Sequence, residues 1–373
     1  MKYVPRIALF LAIPAVLFLL PWWTLIGATA EGPLFWFGSA VFLAGFACLP
    51  ASMFLGHGPR QSDAASIVGD TLLGVMWVLF SWSVLGNIAG LGLAVGGVDD
   101  PARSRIVAVG VLVVAAAMTV WGVIEARRVP RVRTLDVAIR GLGPAFDGLR
   151  MVVITDTHYA ALDRLRWSEK VVDVVNAQQP DIACHAGDLA DGSVAKRHAQ
   201  VDPLGKIEAP LGRFYITGNH EYFGDAPGWI EHMTSIGWQP LHNQHEMLTR
   251  GDDRLVLAGI DDPTGVGLPG HGPDLPAALA GADPDAPIVL LAHQPRQVTE
   301  AAAAGVALQI SGHTHGGQIW PFHYLVRLEQ PVVAGLSRHG DTQLYTSRGT
   351  GFWGPQLRVF APSEITVLVL RSA

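Results

Sequence analysis

Met151-Val152-Val153-Ile154-Thr155-Asp156-Thr157-His158 sets the pattern for the second half of the chain. A short apolar run of strand length ends on a carboxylate and an imidazole two residues apart. On an extended backbone alternate side chains share a side, so Asp156 and His158 point the same way. The arrangement recurs along the chain. Ile182 to Ala186 runs into Gly187-Asp188, and Phe214 to Thr217 into Gly218-Asn219-His220-Glu221. Ile288 to Ala292 runs into His293, and Ala307 to Ser311 into Gly312-His313-Thr314-His315. Leu255 to Ala258, Gln343 to Thr346, Leu357 to Phe360 and Ile365 to Leu370 read as further strands, with helical spacing over Trp167 to Ala177, Pro227 to Ile236 and Arg296 to Ala304. Strands alternating with helices predict an α/β fold whose sheet is largely buried on both faces. In open α/β sheets the loops at the carboxyl ends of the strands build the site. Five strand ends here would deliver polar side chains to one rim.

Asp156, His158, Asp188, Asn219, His293, His313 and His315 have the composition of a ligand set for two metal ions. Any one of them alone reads as well as a cap or a hydrogen-bonding residue; their joint recurrence at strand ends is what points to metal. Imidazole suits transition metals, and carboxylate and amide oxygens also suit manganese, so the mixture predicts two divalent ions of Mn, Fe or Zn rather than calcium. Two aspartates offset only half the charge of two divalent ions. The remainder suits a hydroxide and a phosphodiester anion, and ions about 3.5–4 Å apart can activate a water and stabilise a leaving oxygen. His185 reads as a structural or supporting residue at a strand end. Asp191 and Gln318 read equally as turn residues or as supports to the ligands. Arg348 is a weaker candidate for substrate phosphate, its guanidinium fork matching phosphate oxygens, with a surface ion pair as the plainer reading. The Gly- and Pro-rich stretch Asp261 to Pro276 reads as a loop near the site.

These motifs resemble the calcineurin-like metallophosphoesterase superfamily from about Val132 to Leu370. Gly187-Asp188-Leu189-Ala190-Asp191-Gly192, Leu257-Ala258-Gly259-Ile260-Asp261-Asp262, Gly312-His313-Thr314-His315-Gly316-Gly317-Gln318-Ile319 and Thr346-Ser347-Arg348-Gly349 look like its membrane-associated bacterial phosphodiesterase branch. The resemblance implies a two-sheet sandwich in which Asp156, His158 and His315 hold one metal, Asn219, His293 and His313 the second, and Asp188 both. It implies for His220 a catalytic role at the scissile phosphate, assisting the leaving group without binding metal. Glu221 departs from the aspartate common in the superfamily, and Tyr159 from a common leucine. Some members of that branch cleave the pyrophosphate of a UDP-linked acylated sugar.

The first half is different in kind. Ile7 to Ala28, Leu34 to Leu55, Leu72 to Val95 and Ile106 to Ile124 contain no Asp, Glu, Lys or Arg. Each is close to the roughly 20 apolar residues that cross a hydrocarbon core. They predict an all-α, four-helix transmembrane region over 1-124, followed by a basic linker and first strand over 125-149 and the metallophosphoesterase domain over 150-373. The first stretch is too long, and too closely followed by others, for a cleaved signal peptide. Asn87 within the third stretch reads as an interhelical hydrogen-bonding residue. No buried charge is expected inside the spans, which therefore read as an anchor. Lys2, Arg6, Arg60, Arg127, Arg128, Arg131 and Arg133 fall on one side, and Arg103 and Arg105 on the other. By the positive-inside rule both termini and the catalytic domain are cytoplasmic, in a bacterial inner membrane.

The net charge of -6 and pI near 6.1 argue against a nucleic-acid partner. Two cysteines, Cys48 and Cys184, provide no disulfide framework. The sequence thus predicts a membrane-anchored, metal-dependent phosphodiesterase. A pyrophosphohydrolase of a nucleotide-linked lipid is the alternative, and the lipid bilayer its expected surroundings.

Overall fold

An uncharged run of about 20 residues satisfies its backbone in hydrocarbon by forming a helix. The computed structural model describes residues 4–58 and 60–373, with side chains described from Ile13 onward in the first helix. The N-terminal stretches form α1 (Val4–Trp22), which passes into a π-helical turn Trp23–Gly27, then α2 (Gly32–His57), α3 (Asp63–Val95) and α4 (Ala102–Arg127). Among the described residues three helices, α2, α3 and α4, are long and apolar enough to cross a membrane, against the expected four. The described part of the first stretch is the shorter apolar helix Ile13–Gly27. Lys2 and the side chains of Arg6 and Ile7 lie outside the described residues.

Asn87 makes the interhelical bond its position suggests, donating from Nδ2 to Thr24 Oγ1 at 2.7 Å. Buried charge lies just outside the expected spans Leu72 to Val95 and Ile106 to Ile124. Helix α3 starts well before Leu72, which places a buried Asp70 inside it, 2.9 Å from His57 Nε2; Glu125 is buried near the end of α4.

The helical unit also takes in Ile319–Pro321 and Gly354–Val359, which the sequence assigns to the domain over 150-373. Their apolar side chains explain the difference: Ile319, Leu357 and Val359 are buried with Val78 and Ala115, and the Trp320 ring lies 5.7 Å from that of Trp82. The expected strand at Leu357 to Phe360 is accordingly only an isolated bridge, Ile319 to Val359.

The second unit comprises Arg128–Gln318, Phe322–Trp353 and Phe360–Ala373. Its strands are β1 (Arg131–Ile139), β2 (Arg150–Ile154), β3 (Ile182–Ala186), β4 (Arg213–Ile216), β5 (Gln239–Pro240), β6 (Gln244–Arg250), β7 (Asp253–Gly259), β8 (Ile288–Leu291), β9 (Leu308–Ser311), β10 (Gly335–His339), β11 (Thr342–Thr346) and β12 (Glu364–Ser372). They form two six-stranded sheets, in the orders β1-β12-β2-β3-β4-β5 and β10-β11-β9-β8-β7-β6. Strands β2 to β5 are mutually parallel, as are β7, β8, β9 and β11.

Alternation along the strands makes the layers. Met151 and Val153 of β2 enter one core with Leu257, Leu291 and Ile310 of the other sheet. Val152 and Ile154 face outward onto Trp167, Val171 and Val175 of α5 (Leu165–Asn176). The outer face of the second sheet, with Val256 and Leu290, is covered by Leu275, Ala278 and Ala301. The expected α/β sandwich is therefore two sheets face to face with helices outside, and each inner strand is buried on both faces, which is why its sequence runs apolar without a break.

Candidate dinuclear metal centre

All seven candidate ligands converge where β2, β3, β4, β8 and β9 end. One ligand atom each from Asp156, His158 and His315 lies within 4.8 Å of the others, and the same holds for Asp188, His293 and His313. Asn219, the first residue of α7 (Asn219–Phe223), puts its amide Oδ1 2.9 Å from His313 Nδ1. Asp188 stands between the groups. Its Oδ2 is 3.5 Å from His158 Nε2 and 3.1 Å from His293 Nε2.

The chain reaches these positions through unusual backbone. Asp156, His158, Asp188, His313 and His315 all have left-handed φ, between 42° and 70°. Asp and His tolerate this region better than most residues, yet each such position carries strain. Close approach is also built in. A Cβ at Gly218 would collide with the Asp188 carboxylate and backbone, and one at Gly312 with Asp156 and Thr155.

The surroundings fix which ring atoms face inward. His293 Nδ1 donates to Ala186 O at 2.8 Å, leaving a buried Nε2 with no hydrogen-bond partner, turned toward Asp188. His158 Nδ1 donates to Asp191 Oδ1 at 3.0 Å, so its Nε2 faces His315 Nε2 at 3.0 Å. Imidazole lone pairs and carboxylate oxygens held this close repel one another unless a cation lies among them. A ring whose other nitrogen donates to a carbonyl or carboxylate is the usual form of a metal-binding histidine. The donor set therefore fits two divalent ions.

His220 stands at the edge of the centre. Its Nδ1 is 2.7 Å from the same Asp191 Oδ1, and its backbone N–H donates to Asp188 Oδ1 at 2.9 Å. Burial alone would lower its pKa, but Asp188 and Asp191 outweigh burial and raise it to about 9. Burial would raise Asp191, but the charges of His158 and His220 hold its carboxyl well below the usual range. The His220 ring packs edge-on against Phe223 at 5.3 Å and Trp353 at 5.9 Å, both exposed to solvent. Gln318 holds Trp353 in place, its Oε1 accepting from the Trp353 N–H at 2.9 Å and its Nε2 donating to the Trp353 carbonyl at 2.7 Å. The sequence left Asp191 and Gln318 divided between turn and support; here both bear on His220. Phe223 and Trp353 had no motif to mark them.

Glu221 is fully buried and gathers the loops around the centre. Its carboxylate accepts the backbone N–H groups of Gly218, Asp188, Leu189 and Ala190. Thr157 Oγ1 donates to Leu189 O at 2.9 Å and receives His185 Nε2 at 3.0 Å, so His185 supports the loop from beneath; burial pushes its pKa down to about 3. Arg348 lies 3.7 Å from Glu364 Oε2, and its backbone N–H donates to Glu364 Oε1 at 3.1 Å. It therefore takes the ion pair, and its side-chain carbons pass beside Gly316 next to His315.

Two parallel-stranded layers whose carboxyl ends converge on a histidine- and aspartate-rich centre define a candidate dinuclear metallohydrolase. Residues 149–317 match the family model of the calcineurin-like phosphoesterases. The chain is 36% identical over 271 residues to a transmembrane protein with metallophosphoesterase domain from Danio rerio, a match covering 70% of this chain and 62% of that protein. It is 35% identical over 263 residues to an uncharacterised metallophosphoesterase of Campylobacter jejuni, covering 70% and 68%. It is 31% identical over 235 residues to another of Bacillus subtilis, covering 61% and 80%. The chain belongs to the calcineurin-like phosphoesterase family. It spans less than two-thirds of the length of the Danio rerio relative.

The shared carboxylate of Asp191 generates a prediction. Asp191→Asn keeps the shape but loses the anion that orients His158 and His220. Turnover should fall by about 10–100-fold, the usual effect of removing such a partner. Steady-state kinetics with saturating metal would measure it, and unchanged kcat would refute the orienting role.

Proposed function

We propose that this protein is a membrane-anchored phosphodiesterase that hydrolyses a phosphate ester with two divalent ions, of Mn, Fe or Zn, at the convergent centre. The observation that carries the reading is Asp188 Oδ2, placed between the nitrogens of His158 and His293. In this reading Asp156, His158 and His315 hold one ion, Asn219, His293 and His313 the other, and Asp188 both. The ions supply Lewis acidity and lower the pKa of a nearby water. His220, with Nδ1 tied to Asp191, presents its other nitrogen to the leaving oxygen and can give it a proton. Glu221 keeps the loops carrying Asp188 and Asn219 at fixed separation. Arg348, whose Nη1 lies 3.7 Å from Glu364 Oε2, has further N–H donors in its guanidinium fork that suit a phosphate oxygen.

A second reading is favoured by Phe223 and Trp353. Exposed aromatic rings on either side of His220 suit a substrate with a large apolar or planar part, such as a nucleotide-linked lipid cleaved at its pyrophosphate. Three long apolar helices and relatives named as transmembrane proteins support a membrane setting. The excess of arginine and lysine on one side supports a cell-membrane orientation with the catalytic unit in the cytoplasm.

Purified, metal-stripped protein given Mn²⁺ should hydrolyse bis-p-nitrophenyl phosphate faster than p-nitrophenyl phosphate. Asp188→Asn should be inactive, and His220→Ala should keep its metal but slow by ~10²–10⁴-fold. Full activity of Asp188→Asn with two tightly bound ions would sink the assignment. For the second reading, an acylated nucleotide diester should be cleaved faster than its deacylated form; equal rates count against it. Orientation is read from fusions at Ala373: a fluorescent protein should be bright and alkaline phosphatase silent, and the opposite result would reverse the topology.

A further inference from the structure

Outside the seven candidate ligands, three further side chains from separate segments meet. His242 follows β5, Asp261 follows β7, and His271 lies in the glycine-rich loop beyond it. Asp261 is 1% exposed. Its Oδ1 is 2.6 Å from His242 Nδ1, and its Oδ2 is 3.5 Å from His271 Nδ1. The two rings are 4.7 Å apart. Ligand atoms from all three lie within 4.8 Å of one another.

We propose that His242, Asp261 and His271 bind a third divalent ion, of zinc-like preference, that pins the loop from Asp261 to Pro276. Both imidazoles turn the same ring atom, Nδ1, toward one buried carboxylate. His271 Nδ1 is at 3.5 Å, too far for a good hydrogen bond to Oδ2. It is close to the separation of about 3.4 Å expected between two ligands of a tetrahedral ion with bonds of about 2.0–2.1 Å. Two histidines and one carboxylate, without thiolate, suit Zn, Fe or Co. The partly exposed His242 leaves an open side for a water as fourth ligand.

The loop needs such a fastening. Gly267, Gly270 and Gly272 have positive φ, and Val266 and Leu268 are exposed, so the loop has little core of its own. Asn243 ties down only its ends, donating to Gly272 O and accepting from the N–H groups of Asp261 and Asp274. Tyr222 of α7 places its hydroxyl 3.2 Å from His271 Nδ1 and 3.1 Å from Thr217 Oγ1. An ion on His271 Nδ1 would take the lone pair this hydroxyl now meets, leaving Tyr222 to Thr217 alone.

The test is metal content of the full-length protein, loaded with Zn²⁺, desalted and assayed by mass spectrometry. Wild type should hold one equivalent more than His242→Ala/His271→Ala. Asp188→Asn should lose metal from the catalytic centre yet keep the extra equivalent, so this site and the catalytic reading can fail separately. Proteolysis between Val266 and Gly272 should also be faster in the double variant. A double variant with the wild-type melting temperature and metal count overturns the proposal. Should it misfold, His271→Gln is counted instead, and an unchanged equivalent there overturns the proposal equally.

Discussion

One carboxylate oxygen, Asp188 Oδ2, sits within 3.5 Å of imidazole nitrogens that come from opposite sheets, and the fold has to make that convergence possible. His158 and Asp188 follow β2 and β3 of the first sheet; His293, His313 and His315 follow β8 and β9 of the second. The two groups meet only because the sheets pack face to face through Met151, Val153, Leu257, Leu291 and Ile310 with their parallel strands ending at a common rim. A slip of one residue in either register would turn the core-facing side chains outward and scatter the ligands. The apolar core is thus what holds the polar centre, and one of its residues, Ala186, accepts the His293 Nδ1 hydrogen bond that orients that ring.

The centre works against the fold that carries it. Left-handed backbone costs about 1–3 kcal/mol per non-glycine residue. Five such positions sum to a large part of the roughly 5–15 kcal/mol by which a domain is stable. Asp and His lie at the cheaper end, but the sum still has to be offset. Glu221 is one offsetting element, since four backbone N–H groups that would otherwise be buried without partners converge on its carboxylate. Aspartate, one methylene shorter, would have to draw those loops inward to reach the same donors. The departure from the common superfamily residue is therefore bound up with the spacing of the loops that hold Asp188 and Asn219.

Much of this was legible in the sequence where the physics is local. Strands β2, β3, β4, β8 and β9 are buried on both faces, so each reads as an unbroken apolar run followed by a ligand. Strand β5 has only two residues, and β6 and β10 are polar, partly exposed edges, so nothing in their composition distinguishes them from loops. Leu357 to Phe360 looks like a strand because it is apolar, but its apolarity serves packing among helices. The supports of the centre were harder still. Asp191 and Gln318 lie in turns, and a turn residue and a ligand support have the same sequence signature. Only the distances from Asp191 to His158 and His220 separate the two. His242 and His271 are 29 positions apart with no motif between them, and the end of β7 brings the carboxylate that both face.

The helical half answers to a different solvent, and composition alone announces it. Its finer features do not follow from composition: Asp70 and Glu125 are buried in helices whose hydropathy gives no hint of them, and Ile319–Pro321 and Gly354–Val359 leave the catalytic unit for the helical one. Connectivity nonetheless constrains function. Helix α4 ends at Arg127 and β1 begins at Arg131, so only three residues intervene. At about 3.3–3.6 Å per residue such a tether spans little more than 10 Å. The chain that leaves α4 therefore enters β1 within a few residues, whichever end of the helix lies at which membrane face.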